Sequence, residues 1–173
     1  MKKKPAKRKP GGLLLDLGCG DNKTGPTWTG MDKRPFPGVV DIVHDLEVFP
    51  WPLKSESVLT TRASHILEHI KPWFTIDVFN EVWRITVPHG QFAISVPYGV
   101  SPKFVQDPTH CNPFNEITFL YFDPEPYGEK NHMAWGQYRP KPWKIKNIYW
   151  QDNGFLEVLL EKRSMSEIPE EWK

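Results

Sequence analysis

Leu13-Leu14-Leu15-Asp16-Leu17-Gly18-Cys19-Gly20-Asp21 is the stretch that decides the fold. Leu13 to Leu17 has the length and apolar character of a buried strand. It stops at two glycines, which tolerate φ > 0 and carry no Cβ, so the turn can press backbone against a ligand. Acids flank that turn at Asp16 and Asp21. The spacing is not the Gly-x-Gly-x-x-Gly of a dinucleotide fold, because Lys23 stands where the third glycine belongs, and no Gly-Lys-Ser/Thr follows as in a phosphate loop. The stretch therefore reads as a nucleotide-sized binding edge that fits a pyrophosphate poorly.

Asp16-x-Gly18-x-Gly20 at the end of a first strand resembles motif I of the class I methyltransferases that use S-adenosylmethionine. The resemblance implies an α/β Rossmann-like methyltransferase fold, with a mostly parallel seven-stranded sheet and an antiparallel last strand. It also implies S-adenosyl-L-methionine as cofactor, held along Asp16, Leu17, Gly18, Cys19 and Gly20. A parallel crossover needs a dozen or more residues, commonly with a helix, and Asp21 to Thr27 leaves only a stub containing Gly25 and Pro26. The first helix is expected to be short or missing.

Trp28 to Met31 then reads as a second strand closing on Asp32, followed by Lys33 and a proline-broken loop. A carboxylate there offers two oxygens to the two hydroxyls of a ribose. The resemblance gives Asp32 and Lys33 that part of the cofactor edge. Val39 to Leu46 is β-branched enough for a third strand; by the same resemblance Asp45 takes the exocyclic amine of adenine and Leu46 packs on the ring. Ser57 to Ala63 fits a fourth strand, and Ser64 to Ile70 resembles the family's S-x-x-L-E-H-I segment. Ala63 joins the cofactor edge, and His65 is a candidate catalytic residue. His65 and His69, four apart, would share one helix face, a spacing that also suits metal ligation. The intervening Ile66-Leu67-Glu68 does not place a base as a metalloprotease helix does, and no residue is assigned to a metal.

Ile76, Phe79, Trp83 and Val87 recur at helical spacing, which predicts a helix over 72–87 that Pro88-His89-Gly90 ends. Gln91 to Pro97 reads as the fifth strand. Lys144 to Trp150 and Phe155 to Lys162 form a hairpin across Gln151-Asp152-Asn153-Gly154. The long loop after the fifth strand, about 98–143, carries Asp107-Pro108-Thr109-His110, similar to a D-P-x-H-x-x-x-F segment in some bacterial and phage methyltransferases. Two readings of it stand side by side. His110 is a base or acceptor-orienting group whose tautomer Asp107 fixes, or Asp107 and Thr109 cap a helix beginning near Pro113 while His110 bonds backbone. Tyr98, Phe114, Tyr121, Phe122, Tyr127 and Trp135 are candidates to line an aromatic acceptor pocket. No Asn/Asp/Ser-Pro-Pro-aromatic tetrad follows the fourth strand and no Pro-Cys nucleophile exists, which disfavours the nucleic-acid base chemistries that need them. A small molecule, a sugar or a protein side chain remain as the unidentified methyl acceptor.

Length and composition frame these readings. The chain has 173 residues, 39% hydrophobic, with eight tryptophans and ten phenylalanines. That is one globular domain's worth of core. The expected division is a disordered basic tail over 1–11, a methyltransferase domain over 12–163 and a flexible C-terminal tail over 164–173. Six of the 22 Lys and Arg lie in residues 2–10, so the remaining 16 face 21 acidic residues, a net of about −5. The arm suits nucleic acid or an acidic surface, or is a solvated tail; contact with nucleic acid stays unproven. No apolar run is long enough for a bilayer and no secretory leader is recognisable, so the expectation is a cytoplasmic protein with no membrane partner. Cys19 and Cys111 give neither a disulfide framework nor a zinc signature. A small side chain in the glycine turn is the simplest requirement at Cys19. Oligomeric state is not legible. The competing reading is a degenerate methyltransferase fold serving as a binding or structural module, reaching nucleic acid through its basic arm.

Overall fold

A computed structural model of the chain describes residues 12–125, 137–168 and 170; the basic arm, Tyr127 and Trp135 lie outside these residues. Its frame is a single sheet. In chain order the strands are β1 (Leu13–Leu17), β2 (Thr29–Asp32), β3 (Ile42–Val43), β4 (Val58–Ser64), β5 (Thr86–Pro97), β6 (Trp143–Trp150) and β7 (Phe155–Lys162). They lie in the order β3-β2-β1-β4-β5-β7-β6, with β7 antiparallel to both neighbours and the other pairings parallel. This is the Rossmann-like arrangement expected. The chain winds from β1 outward to β3, then returns beside β1 with β4 and runs outward the other way. A crevice therefore opens beyond the carboxyl ends of β1 and β4, where strand order reverses.

Burial follows the strand pattern. Leu15 and Leu17 of β1, Met31 of β2, Val58 and Ala63 of β4, and Phe92 and Val96 of β5 are fully buried. The helix α1 (Thr75–Ile85) lays Val78, Phe79, Val82 and Ile85 on the sheet. Phe79 stacks on Phe122 with ring centroids 4.0 Å apart and meets Phe92 edge-on at 5.4 Å. Two short helices, α2 (Pro102–Val105) and α3 (Glu116–Leu120), interrupt the long loop after β5. That loop is tied back to the hairpin by Arg163, which donates to Asp123 at 2.8 Å and to the Trp143 carbonyl at 3.1 Å.

The first helix is missing, as expected: 18–28 consists of turns and bends. Several boundaries differ from the sequence reading, each for a local reason. The third strand shrinks from Val39–Leu46 to two residues, because Val39 and Val40 donate to the Phe36 carbonyl and close a turn instead of joining the ladder. The expected helix over 72–87 begins as a 3-10 turn at Pro72–Phe74 and ends at Ile85. Thr86 breaks it by bonding its hydroxyl to the Val82 carbonyl, 2.6 Å away. Strand β5 then starts at Thr86, and Pro88-His89-Gly90 is a bulge within it: Val58 pairs with Thr86 but Thr60 pairs with Gln91. His65 and His69 do not share a helix face. His65 has φ of 54° and only Leu67–His69 forms a 3-10 turn. The segment expected as a C-terminal tail opens with a turn at Met165–Glu167, boxed by Ser164 and Glu167, and Ile168 is buried.

Phe79 carries the aromatic contact between α1 and the long loop. Phe79→Ala should cost about 3–5 kcal/mol by loss of transfer energy and creation of a cavity, read as a fall in the urea midpoint with an unchanged slope. A loss below about 1 kcal/mol would mean that the stack is not built as described.

Candidate functional site

The crevice edge begins with the glycine turn. Gly18 and Gly20 have φ of 60° and 56°. At Gly18 a Cβ would come within 2.3 Å of Ile66, so the turn packs directly on the chain leaving β4. The amides of this turn face inward. Gly18 and Cys19 donate to the Met31 carbonyl at 2.7 and 3.4 Å, and Gly20 donates to Asp32 Oδ2 at 2.9 Å. A phosphate needs such amides free; with them taken, the edge suits a ligand of hydroxyls, amines and positive charge.

Three aspartates hold 18–28 in place of a helix. Asp16, almost fully buried, accepts from the Thr24 amide at 2.8 Å and the Thr24 hydroxyl at 2.6 Å, with Arg62 Nη1 3.4 Å away. Asp32, also buried, accepts from Gly20 and, through Oδ1, from the Arg34 amide at 2.8 Å and Arg34 Nε at 3.2 Å. Asp41 accepts from the Gly30 amide at 2.8 Å and Lys23 Nζ at 2.6 Å. Burial works against the charge on Asp32, but the two amides and the Arg34 side chain outweigh it and hold its pKa below the usual carboxylate range. Asp32 therefore stabilises the fold above the unfolded pKa, and that contribution is lost as pH falls through the lowered value. Of the four lone-pair positions on this carboxylate, three are used. One on Oδ2 is left, and the exposed Arg34 side chain can yield another.

The segment of Asp45 and Leu46 is built differently from its sequence reading. Asp45 lies past β3 in a turn, where Oδ1 accepts from the Glu47 amide at 3.0 Å. Leu46 is buried. Its carbonyl accepts from Trp51 Nε1 at 3.2 Å, and the Trp51 amide donates to Glu81 of α1 at 2.7 Å. Arg84 clamps Glu81 through Nε and Nη2 at 2.8 and 2.6 Å and also reaches the Leu53 carbonyl at 2.9 Å. The helix thus fixes the loop that presents Asp45 and Leu46. Lys33 is exposed at the mouth, whereas Leu17 and Ala63 are fully buried and offer a ligand only backbone.

Beyond β4, His65 is half-exposed and meets Phe155 edge-on at 4.7 Å. His110 reaches the same region from the long loop. Its Nδ1 faces the Phe104 carbonyl at 2.8 Å, and its Nε2 lies 3.8 Å from Asp107 Oδ2. Asp107 does not set its tautomer; the Phe104 carbonyl, which can only accept, does. Asp107 instead accepts from the Thr109 amide and hydroxyl at 2.8 and 2.7 Å. The helix after Pro113 is capped by Asn115 and Thr118. Phe114 is a core residue rather than pocket lining, whereas Phe122, also buried in the core, lines the same cavity as Tyr121. Tyr121 does border a cavity of about 380 Å³, with Pro72, Thr75, Ile76, Asn112 and Tyr138 around it, a size that suits a small ligand. Sequence reasoning missed Asp41, Arg62 and the Glu81 strut. Asp41 and Arg62 had a signal, being charges inside strand-like runs; Glu81, on the polar side of a predicted helix, had none.

Comparison with solved structures agrees with this architecture. A SAM-dependent methyltransferase from Archaeoglobus fulgidus is similar with a TM-score of 0.61 at 17% identity, over 89% of this chain and 87% of that one. The 1,6-didemethyltoxoflavin-N1-methyltransferase of Burkholderia thailandensis, solved with 1,6-didemethyltoxoflavin and S-adenosylhomocysteine, has a TM-score of 0.61 at 14% identity, over 89% and 72%. The cyclase SpnF has a TM-score of 0.59 at 13% identity, over 88% and 75%. The class is thus the Rossmann-like methyltransferase fold, and at these identities the likeness is one of fold. No family model matches the chain, nor does any curated protein.

Cys19 sits inside the turn beside Asp16 and Asp32. Burial first, then these two charges, push its thiol up to about 11, so it is protonated at neutral pH and unsuited to nucleophilic work. Iodoacetamide at pH 8, followed by mass spectrometry, should label exposed Cys111 first and reach Cys19 only on unfolding. Equal labelling rates in the folded protein would contradict the buried turn.

Proposed function

We propose that the chain is an S-adenosyl-L-methionine-dependent methyltransferase acting on a small-molecule, sugar or protein acceptor. The observation that carries the reading is the convergence of Gly18–Gly20, Asp32 and Asp45-Leu46 at three adjacent strand ends, beside the point where strand order reverses. The bound cofactor supplies a methyl group on a cationic sulfonium sulfur. The chain's own part is mainly to hold and orient, since displacement at such a methyl needs alignment more than acid-base chemistry. Asp32 Oδ2 takes a ribose hydroxyl with its remaining lone pair, while Arg34 gives way to the second hydroxyl. Asp45 accepts from the adenine amine, with Leu46 and the Trp51 strut behind it. The inward-turned amides at Gly18 to Gly20 expose an acid-lined edge, favourable to positive charge, with Asp16 nearest the end that carries the sulfonium. Leu17, Cys19 and Ala63 shape this wall through backbone or small side chains, and Lys33 lies at its rim. His65 and His110 stand on the acceptor side. His110, held through Nδ1 by the Phe104 carbonyl, orients the acceptor.

Calorimetry with S-adenosylmethionine and S-adenosylhomocysteine tests the reading. Saturable binding is expected, weakened about tenfold or more by Asp32→Ala, as loss of a charge-assisted bond of about 1.5–3 kcal/mol requires. His110→Gln should leave that affinity within about twofold. Absence of binding by folded protein would overturn the proposal and favour a fold that has lost its cofactor.

A further inference from the structure

Glu68 lies at this crevice, and the proposed reaction does not use its chemistry. It is fully buried, and neither carboxylate oxygen has a hydrogen-bond partner. An ionised carboxylate so placed is costly unless something compensates it. His65 Nδ1 approaches Oε1 at 3.4 Å without hydrogen-bond geometry, and His110 Nε2 stands off at 3.9 Å. One ligand atom each of Glu68, His69 and His110 lie within 4.8 Å of one another.

The hydrogen bonds around the two imidazoles decide what they can offer. His110 Nδ1 faces a carbonyl and must carry the proton. Thr109 donates its hydroxyl to Asp107 Oδ1, which also accepts from the Thr109 amide. The Thr109 oxygen, 3.0 Å from His69 Nδ1, must then accept a proton from that nitrogen. Both rings are thereby assigned as Nδ1–H tautomers, which leaves each Nε2 with a lone pair. Metal-ligating histidines are held in this way, one ring nitrogen donating to a carbonyl or carboxylate-linked group while the other binds the ion. Three electron-pair donors, two part-exposed imidazoles and a buried carboxylate without a hydrogen bond, converge with no hydrogen bond among them.

We infer that Glu68, His69 and His110 form a binding site for a divalent first-row transition cation of the zinc type. Two imidazoles select against magnesium and calcium, which prefer all-oxygen shells. Three protein ligands leave an open position, as catalytic zinc sites do. Half-exposed His65 supplies a fourth donor or leaves that position to an acceptor oxygen or nitrogen. A tetrahedral ion with ligands at about 2.0–2.2 Å draws its donors to roughly 3.4 Å apart, so the side chains close in from their 4.8 Å limit. The sequence reading weighed His65 and His69 on one helix face and assigned no metal because Ile66-Leu67-Glu68 places no base as a metalloprotease helix does; the site is assembled instead from the turn after β4 and a loop some forty residues on.

The test uses the untagged full chain, stripped with a chelator and titrated with Zn²⁺ and with Co²⁺ as a coloured substitute. Expected are one equivalent bound at micromolar protein, a visible Co²⁺ ligand-field band, and a rise in thermal midpoint. Glu68→Gln, which keeps the shape and removes the charge, should weaken binding tenfold or more. His110→Gln, in a loop, should do the same and serves should the first variant fail to fold. Binding undiminished in either folded variant, or none by the folded wild-type chain, would overturn the site. Neither readout requires methyl transfer, so the result stands apart from the fate of the proposed function.

Discussion

Carboxylates at Asp16, Asp32 and Asp41 bear the constraint on which the crevice depends. A parallel β1 to β2 connection without a helix leaves residues 18–28 with few backbone partners of their own, and backbone donors near a sheet core must be satisfied. The three acids supply acceptors for the amides of Thr24, Gly20 and Gly30 and draw in the cations of Arg62, Arg34 and Lys23. Bonds of this charge-assisted kind contribute about 1.5–3 kcal/mol each, comparable with a buried side chain. Their cost is that the turn amides are already taken, which leaves the edge suited to hydroxyl and amine groups and poorly suited to phosphate.

Asp32 consequently has two duties. It pins Gly20 in its left-handed conformation, and it keeps acceptor capacity at the mouth of the crevice. A residue held by backbone amides on one side is preorganised for a ligand on the other, which lowers the ordering cost of binding. The loop that carries Asp45 and Leu46 follows the same logic at longer range. Arg84 orients Glu81, Glu81 the Trp51 amide, and the Trp51 indole the Leu46 carbonyl. A helix on the sheet thereby sets the position of this loop through polar contacts as well as through the shared core.

What could be read from the sequence follows the range of the interactions involved. Strand β1, its glycine turn and the β6–β7 hairpin depend on local chemistry, apolar runs and turn residues, and lie where that chemistry places them. The third strand did not, because Pro35, Pro37 and Gly38 wind Val39 and Val40 into a turn despite their β-branched side chains. Propensity loses there to turn geometry at a sheet edge. The helix ended two residues early because a single threonine hydroxyl caught the carbonyl one turn back. The acids at the crevice edge were visible as strand-end residues, yet their mutual work as staples was not, since it joins positions eight to twelve residues apart through side chains. The meeting of Glu68 with His110 was beyond reach for a stronger reason: nothing in the order of residues says that the long loop folds back onto the turn after β4.

The central claim is that a nucleoside ligand lies across the ends of β1, β2 and β3. Titration of nitrogen-labelled protein with S-adenosylhomocysteine, followed by amide NMR, tests it most directly. The account predicts shifts concentrated at Gly18 to Gly20, Asp32 to Arg34 and Asp45 to Glu47. Shifts confined to other surfaces, or none at saturating ligand, would contradict it.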